Sequence, residues 1–420
     1  MKFLIIHQNF PGQFRHLGPV LVGLGHEVVG LTPRVKEQTT WQGITLYPYA
    51  PKRGSSKDIH PWLADFETKI LRGEACYDAA VALRDQIGFS PDVILAHHGW
   101  GEPMFLRDVW PEARIGLYCE YYYRPEFPYG DFDPEFPPRD PVKDPLRLRM
   151  KNLNNLVHSD LADAALSPTT FQADTFPPDW REKISVIHDG VNTRQMVPNP
   201  DARLDLPDGS TVTRADEVIT FVNRNLEPYR GYHTFMRALP DLLKKRPDAR
   251  VLIVGADGVS YGAKPPPGKT WKQIFIDEVR DRIPDTDWAR VHFLGHLPYD
   301  QFTMLLQVSR LHIYLTYPFV LSWSLLETMS VGGAILASDT GPVRELITDE
   351  VTGRLVDFFD PTALVAAADA LLDDEATRLR MGAAARAHVV EHYDLQTVCL
   401  PKLLKWVNDL AGMQARALPE

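Results

Sequence analysis

Short apolar runs recur along the chain, and each gives way to polar or glycine residues before a helical pattern begins. The first run is FLII, which is followed by a glycine-containing turn, a helix predicted from about Phe14 to Leu24, and a second run from Glu27 to Leu31. Runs of this kind are typical of strands buried on both faces of a parallel sheet and joined by helical crossovers. The pattern therefore predicts an α/β architecture.

The pattern occupies two stretches of the chain. The first includes PDVILAHHG, ARIGLYCEYY and DAALSPTTF, and the second includes EVITFVNRNL, ARVLIVGAD, ARVHFLGHL, LHIYLTYPF, GAILASD and TGRLVDF. Gly, Asn, Asp and Pro accumulate between them, which predicts a hinge near residues 191–200. A chain of 420 residues also exceeds the roughly 250–300 at which a single core stops growing. We therefore predict two Rossmann-like, doubly wound parallel-sheet domains, residues 1–195 and 196–390, with a C-terminal helix in 391–420 packing back toward the first.

Charge and composition disfavour several classes of protein. A net charge of -10 argues against a general nucleic-acid binder, whose phosphate contacts need an excess of Lys and Arg. The three cysteines lie far apart, which matches neither a disulfide framework nor a zinc site and fits a reducing cytoplasm. The longest apolar stretch, residues 311–326, is interrupted by His312 and Pro318 and is shorter than the roughly 20 residues of a membrane span. We expect a cytoplasmic protein without a membrane-spanning helix.

Two arginines flank a predicted strand end in VNRNLEPYRG. Arg224 ends the strand, and Arg230 precedes Gly231 and the start of a helix. Both are expected at exposed positions, where two planar guanidinium groups that converge would suit a diphosphate. The spacing alone nevertheless favours a solvated pair of surface arginines.

A second strand end lies in YPFVLSWSLLETMSVGG. Pro318 ends the strand, and a helix is predicted to begin near residues 322–324, where free N–H groups would attract phosphate. Glu327, one turn into this helix, is placed to accept hydrogen bonds from ribose hydroxyls. A capped core helix with Glu327 as a favourable first-turn acid explains the residues equally well.

Set in order, these segments resemble glycosyltransferase family four, retaining enzymes of the two-domain GT-B fold. The helix after Pro318 is followed by the family's Ser-Asp, Gly, Glu and Thr-Gly positions, here Ser338, Asp339, Gly341, Glu345, Thr352 and Gly353. VNRNLEPYRG resembles the family's diphosphate motif, with Arg230 where Lys is common. ISVIHDGVNTRQM resembles its hinge, and PGQFRHLGPVLVGLGHEVVGLTP its first glycine loop, so the similarity spans nearly the whole chain.

The resemblance implies a donor site in the second domain and a facing first domain that holds the acceptor. The implied diphosphate-binding residues are Gly12, Arg224, Arg230, Trp323 and Ser324, with Glu327 on the ribose, Gly295 and Leu297 at the base, and Phe319 and Ser322 in the sugar pocket. The implied reaction moves a sugar from a nucleotide diphosphate sugar to an acceptor hydroxyl, with retention of configuration and without a cofactor. The acceptor is expected to be a saccharide or a glycoconjugate, and the sequence indicates no oligomeric state.

One position departs from the family. The first Glu of its Glu-seven residues-Glu motif is replaced by Phe319, eight residues before Glu327. The change implies either altered sugar selectivity or a catalytically silent nucleotide-sugar-binding relative. The retained helix start and the two arginines favour altered selectivity. An epimerase or a phosphorylase on the same fold remains a further alternative.

The first domain supplies the remaining candidates. His97 ends a strand at the position of the family's functional His and is the predicted catalytic residue, although a strand-end His is often structural. The acceptor-side candidates are His98, Glu120, Tyr121 and Tyr122, at the start of a Pro-rich and aromatic loop over residues 120–145. These aromatic residues would alternatively pin the loop to its own domain, and the basic segment RDPVKDPLRLRMK would alternatively contact an anionic membrane.

Two Asp-x-Asp sequences raise the question of a metal. Asp131 to Asp133 and Asp285 to Asp287 resemble the Mg²⁺-binding signature of another glycosyltransferase fold, but neither follows a strand in the right domain order. We interpret both as solvated turns and predict no metal. The two arginines and the helix terminus would then neutralise the diphosphate.

Overall fold

A computed structural model describes residues 1–124, 132–138 and 140–412. The chain divides into two compact units. Unit 1 comprises Met1–Asp131, Pro137–Asp189 and Gln396–Glu420, and unit 2 comprises Phe132–Phe136 and Gly190–Leu395. The division therefore falls after Asp189, whereas the sequence placed it after residue 195, and unit 2 includes a short segment from the middle of the first half.

Unit 1 is built on an eight-stranded sheet in the order β3-β4-β2-β1-β5-β6-β7-β8. Its strands are β1 Lys2–Ile6, β2 Glu27–Thr32, β3 Thr39–Trp41, β4 Ile44–Pro48, β5 Val93–His97, β6 Arg114–Tyr118, β7 Ala164–Ser167 and β8 Ile184–Val186. All neighbouring strands are parallel except β3 and β4. Every residue of β5 is buried, as expected for a strand covered on both faces.

The helices of unit 1 connect these strands. They are α1 Leu17–Gly23, α2 Ala64–Ile87, α3 Leu106–Val109, α4 Asp144–Lys151, α5 Leu153–Leu161, α6 Thr170–Ala173 and α7 Pro178–Arg181. The long helix α2 ends at Gly88, which adopts a left-handed conformation with a φ of 71° and donates its N–H to Leu83 O. Glycine takes this conformation without the steric cost that a side chain brings, so it ends the helix cleanly.

Unit 2 contains a six-stranded parallel sheet and a two-stranded antiparallel ribbon of β9 and β10. Its strands are β9 Arg203–Asp205, β10 Thr211–Thr213, β11 Val218–Asn225, β12 Arg250–Ala256, β13 Val291–Gly295, β14 Leu311–Tyr314, β15 Ile335–Ser338 and β16 Arg354–Val356. The order of the larger sheet is β13-β12-β11-β14-β15-β16, so the direction of winding reverses between β11 and β14. In open parallel sheets, ligands bind beyond the carboxyl ends of the strands at such a reversal.

The helices of unit 2 connect these strands. They are α8 Tyr232–Lys245, α9 Trp271–Val279, α10 Asp285–Trp288, α11 Tyr299–Val308, α12 Trp323–Ser330, α13 Gly341–Leu346, α14 Pro361–Asp373 and α15 Glu375–Tyr393. The predicted pair of doubly wound α/β domains is confirmed.

The last helix, α16 Leu400–Gly412, belongs to unit 1. A Cβ atom on Gly116 of β6 would lie 2.6 Å from side-chain atoms of both Leu410 and Trp406, so the helix packs directly on the sheet at a glycine. The C-terminal helix begins at Leu400, later than the predicted residue 391. Residues 413–420 lie outside the described part of the chain. Among the described residues, no helix has both the length and the apolar character needed to cross a bilayer.

Candidate functional site

The carboxyl ends of β11 and β14 lie side by side where the winding of the unit 2 sheet reverses, with Phe221 opposite Ile313. After β11 the chain makes a tight turn over Pro228–Arg230 and enters α8 through Gly231, which has a φ of 67°. A Cβ atom at Gly231 would lie 2.2 Å from Leu315 Cβ. Glycine is thus required for this turn to approach the loop that follows β14.

The two arginines of this edge differ in environment. Arg224 is exposed, as predicted, but Arg230 is buried, and the expectation that it is exposed was wrong. Arg230 Nη1 donates to Thr316 Oγ1 at 2.8 Å and to Val320 O at 2.9 Å, and its guanidinium lies 5.1 Å from the ring centre of Tyr261. Arg230 therefore holds the loop after β14 in place from the β11 side.

The start of α12 is not capped by its own serine. Ser322 has the extended conformation of an N-cap residue, yet within the described structure its side chain makes no capping bond to the helix N–H groups. Its Oγ lies 2.7 Å from Ser324 Oγ, and its N–H donates to Tyr314 OH at 2.9 Å. At the start of a helix the first-turn N–H groups lie outside the intrahelical hydrogen-bond pattern, which gives the terminus the character of an anion site.

Glu327 lies one turn into α12 and is partly exposed. Its Oε1 accepts a hydrogen bond from Tyr299 OH at 2.8 Å. Tyr299 begins α11, just after the proposed base-binding residues Gly295 and Leu297, so the fold brings these residues and Glu327 into one region of unit 2. Gly295 ends β13 with a φ of 63°. Tyr299 could not be predicted from the sequence, because nothing in its own segment ties it to residue 327.

Phe319, which replaces the family's Glu, is buried in an aromatic cluster formed by Tyr229, Tyr261, Tyr317 and Phe319. Its ring centre lies 5.2 Å from that of Tyr229 and 5.1 Å from that of Tyr261. The side chain therefore packs inward instead of presenting an open face. Its part in sugar selectivity stays a prediction, and any influence on a sugar would act through the loop that Phe319 anchors.

Glu227 binds the backbone of the segment that carries Tyr261 of this cluster. Its carboxylate is fully buried and accepts hydrogen bonds from the backbone N–H groups of Ser260, Tyr261 and Gly262 at 3.0–3.4 Å. The bonds satisfy a carboxylate that would otherwise be costly to bury. They fix the insertion after β12 so that Tyr261 meets Arg230 and Phe319.

In unit 1, His97 is buried at the end of β5 and stacks on Trp100, with ring centres 4.1 Å apart. Its Nδ1 accepts a hydrogen bond from Gly99 N–H at 2.9 Å. Burial holds the pKa of His97 well below its usual value, so the ring is neutral and its proton resides on Nε2. That atom lies 3.8 Å from Glu120 Oε2. His97 is therefore arranged as a hydrogen-bond donor.

Gly12 approaches the same edge of the unit 1 sheet. It has a φ of 49°, and a Cβ atom there would lie 2.1 Å from Cε1 of His7. His7 was not singled out from the sequence, where a lone His after a strand carries little signal. Its Nε2 bonds Gln13 Oε1 at 2.6 Å, and its ring centre is 5.5 Å from that of His97. Glycine is thus needed at position 12 so that the loop passes over His7.

The acceptor-side candidates divide into buried and accessible residues. His98 Nε2 accepts from Glu120 N–H at 3.0 Å, and burial lowers the pKa of His98 to about 3. Tyr121 is also buried, 5.3 Å from Tyr123 between ring centres. His98 and Tyr121 therefore pin the start of the loop to unit 1, whereas Glu120 and Tyr122 remain partly exposed.

The two Asp-x-Asp sequences also differ. Asp285 is exposed, and Asp131 lies outside the described residues. Asp133 is buried in unit 2, so its interpretation as a solvated residue was wrong. Asp133, Glu135 and His233 each offer a ligand atom within 4.8 Å of the others. However, Asp133 Oδ2 already accepts from Tyr317 OH at 2.5 Å and lies 3.0 Å from His233 Nε2, so a cation would have to replace these bonds.

Two Rossmann-like units, with arginines, an uncapped helix start and a strand-end histidine at the carboxyl edges of their sheets, define a protein of the GT-B class. Residues 24–196 match the model described as Glycosyl transferase family 4 group, and residues 209–388 match the model described as Glycosyl transferases group 1. Each half of the chain thus matches a glycosyltransferase family model, and the resemblance drawn from its motifs is confirmed.

Curated relatives resemble part of the chain. A D-inositol 3-phosphate glycosyltransferase of Corynebacterium efficiens is 24% identical over 208 residues, 49% of this chain and 47% of the relative. A phosphatidyl-myo-inositol mannosyltransferase of Mycolicibacterium smegmatis is 30% identical over 190 residues, 44% of this chain and 43% of the relative. The matched region thus spans about half the length of these curated relatives.

Solved structures share the fold over nearly the whole chain. A sucrose-phosphate synthase from Thermosynechococcus elongatus has a TM-score of 0.72 at 18% identity and covers 98% of this chain and 100% of its own. The Anabaena protein HepE, in complex with UDP-glucose, has a TM-score of 0.66 at 14% identity and covers 97% of this chain and 100% of its own. At these identities the likeness shows the fold alone.

Proposed function

We propose that the protein transfers a sugar from a nucleotide diphosphate sugar to an acceptor hydroxyl with retention of configuration. The observation that carries the proposal is the start of α12, which has no side-chain cap and lies one turn before Glu327, at the reversal of the unit 2 sheet where Arg224 stands at the end of β11. An N–H cluster, a guanidinium and a carboxylate are the groups that a diphosphate and a ribose require. Complexes of a structural neighbour with UDP and UDP-glucose support this class of donor.

Breaking the sugar-phosphate bond leaves negative charge on the diphosphate. Arg224 and the N–H groups of Trp323 and Ser324 would stabilise this charge more strongly in the transition state than in the bound donor. Arg230 would contribute its remaining donors while its Nη1 holds the loop. The leaving phosphate would then accept the proton of the acceptor hydroxyl on the same face, as the family implies, so that no separate nucleophile is needed.

His97 would act from unit 1 as a neutral hydrogen-bond donor. Its Nδ1 is occupied by Gly99 N–H, and the lowered pKa keeps the ring uncharged, so Nε2–H, which is buried and has no hydrogen-bond partner among the described residues, is the group that would donate to a sugar hydroxyl. Glu120, partly exposed and 3.8 Å from that nitrogen, would accept from a hydroxyl of the acceptor. The pair would orient the reacting sugars without serving as acid and base.

The acceptor would be a saccharide or another polyhydroxyl compound. The names of the two relatives specify an inositol phosphate and a phosphatidylinositol, both of which carry an inositol ring.

We infer that the protein is cytoplasmic and contacts an anionic membrane surface through helix α4. This helix carries three basic residues and an exposed leucine, namely Arg147, Arg149, Lys151 and Leu146.

A catalytically silent nucleotide-sugar-binding protein is the second candidate, and the buried Phe319 favours it because the family's sugar-facing Glu is lost. A thermal-shift screen with UDP-, GDP-, ADP- and TDP-sugars tests donor binding, since a ligand of the folded state raises the melting temperature. Sugar release or transfer from the donor that binds, followed by NMR of the product anomer, then separates the two candidates. Binding without turnover would support the silent protein, and an inverted product would contradict retention.

We predict that transfer continues in the presence of EDTA. Arg224, Arg230 and the α12 terminus would supply the positive charge that a cation provides in other folds. Initial rates are measured before and after chelation, with Mg²⁺ and Mn²⁺ added back as controls. Loss of activity that Mg²⁺ or Mn²⁺ restores would show that the cluster of Asp133, Glu135 and His233, or another site, holds a required ion.

A further inference from the structure

Five residues from the loop over residues 120–145 form part of unit 2. These residues, Phe132–Phe136, are here called the strap, and the chain on either side of the strap belongs to unit 1. The strap has no sequence signal of its own beyond the Asp-x-Asp pattern that Asp133 completes. The strap nevertheless contacts the loop between β14 and α12, through the hydrogen bond between Asp133 and Tyr317.

Asp133 is the second residue of the strap and is 3% exposed. Its Oδ2 accepts a hydrogen bond from Tyr317 OH at 2.5 Å and lies 3.0 Å from His233 Nε2, while its Oδ1 accepts from Glu135 N–H at 2.9 Å. Burial alone raises the pKa of Asp133, but the bonds from His233, Tyr317 and Glu135 N–H hold it below its usual value. Asp133 is therefore a charged acceptor with its bonds satisfied.

Neighbouring residues of the strap add packing on both sides of Asp133. The ring centre of Phe132 lies 5.0 Å from that of Tyr317, and the ring centre of Phe136 lies 5.4 Å from that of His233. Glu135 pairs with Arg237 near the surface, at 2.5 and 2.8 Å, where such pairs contribute little. The buried contacts of Asp133 with Tyr317 and His233 thus link the strap to the rest of the unit, and the bond from Tyr317 is the one that reaches the loop after β14.

Tyr317 connects that bond to the proposed donor site. Its ring centre lies 4.6 Å from that of Tyr229, and its N–H donates to Tyr229 O at 3.0 Å. On either side of it in sequence, Thr316 and Val320 accept the hydrogen bonds from Arg230, and Phe319 packs on Tyr229. Fixing Tyr317 therefore fixes the loop whose far end is the start of α12.

We propose that Asp133 is a positioning residue for the donor, which acts through Tyr317 to hold the loop of residues 316–322 in its binding conformation. The proposal rests on the proposed function and assigns to a residue of the acceptor-side loop a role in donor affinity. Asp133 itself would touch neither the nucleotide nor the sugar. Its removal would leave Arg230 and Phe319 to hold the loop without the buried carboxylate.

The test compares three variants of the full chain. Tyr317→Phe removes one hydroxyl and keeps the ring in the aromatic cluster, Asp133→Asn removes the charge at nearly constant size, and Glu135→Gln breaks only the exposed pair with Arg237. The donor that the wild type turns over is used to measure KM and kcat, with UDP-glucose as the first probe. Melting temperature is measured on the same samples.

We expect Tyr317→Phe and Asp133→Asn each to raise the donor KM about five- to tenfold, which is less than the full contribution of a hydrogen bond to a charged group because Arg230 and Phe319 still hold the loop. Because the two side chains share the Tyr317–Asp133 bond, the double variant should raise KM by less than the product of the two single effects. Glu135→Gln should leave KM unchanged. A lower melting temperature with a wild-type KM in Tyr317→Phe would overturn the positioning role. Absence of turnover and of nucleotide binding in the wild type itself would instead remove the proposed function.

Discussion

Arg230→Ala should lower both the affinity for the nucleoside diphosphate and the melting temperature, whereas Arg224→Ala should lower the affinity alone. Arg230 is buried and bonds Thr316 Oγ1 and Val320 O, so its removal leaves two acceptors without their donor inside unit 2. Arg224 is exposed, and its removal leaves no buried group unsatisfied. Comparing the two variants would therefore distinguish an effect on donor affinity from an effect on folding stability.

The expected sizes follow from the bonds lost. Losing a charged hydrogen bond to phosphate should cost each variant about 1.5–3 kcal/mol of donor binding. The unpaired acceptors should cost Arg230→Ala a further 2–4 kcal/mol of folding free energy, on the order of 1–2 kcal/mol for each. Arg224→Ala should fall within about 0.5 kcal/mol of the wild type in stability, as surface substitutions usually do.

Calorimetry with UDP and thermal denaturation of each variant provide the measurements. Arg230→Lys is the matched control, since it keeps the charge but loses the planar fork that reaches Thr316 and Val320. We expect it to recover part of the affinity and little of the stability. Wild-type affinity for UDP and for the other nucleoside diphosphates in both alanine variants would show that the diphosphate binds elsewhere.

The contrast between these arginines shows what the sequence can and cannot predict. The apolar runs define the strands, since burial on both faces leaves a local pattern, and Arg224 follows from its place at the end of β11. The burial of Arg230 depends on acceptors 86 and 90 residues away, which no local pattern reports. A position close to a strand end in the sequence therefore predicts the edge of the sheet at which a residue lies. It does not predict whether the side chain is buried or exposed.

The same reason explains the residues that were missed or misinterpreted. Tyr299 meets Glu327 from 28 residues away, and Asp133 meets Tyr317 from 184 residues away. Each partner looks ordinary in its own segment, and Asp133 sits among prolines and acids that are typical of solvated turns. The contacts of these side chains are set by the packing of unit 2 and not by their local sequence. The start of the helix at residue 323, in contrast, could be located from Pro318 and the serines that follow.

Unit 1 should lose stability steeply as the pH falls from 7 to 5. Burial lowers the pKa of His7 to about 4 and those of His98 and His158 to about 3, whereas an unfolded histidine takes up a proton near pH 6.5. Between these values the unfolded chain binds more protons than the folded one, so the free energy of unfolding falls with the pH. The stability that these groups provide is complete above about pH 6.5 and is lost as the pH approaches 3–4.

Each of the three histidines should cost about 2 kcal/mol between pH 7 and pH 5, so that the sum is several kcal/mol. Urea denaturation across this range gives the slope of unfolding free energy against pH, and His158→Phe should reduce that slope by the contribution of one proton. An unchanged slope in His158→Phe would mean that this imidazole is protonated in the folded protein.

Because His97 lies 5.5 Å from both His7 and His98 between ring centres, acid should abolish transfer by loosening this part of unit 1. Activity would then fall together with the folded fraction, and a loss near pH 6.5 in fully folded protein would contradict the neutral donor role of His97.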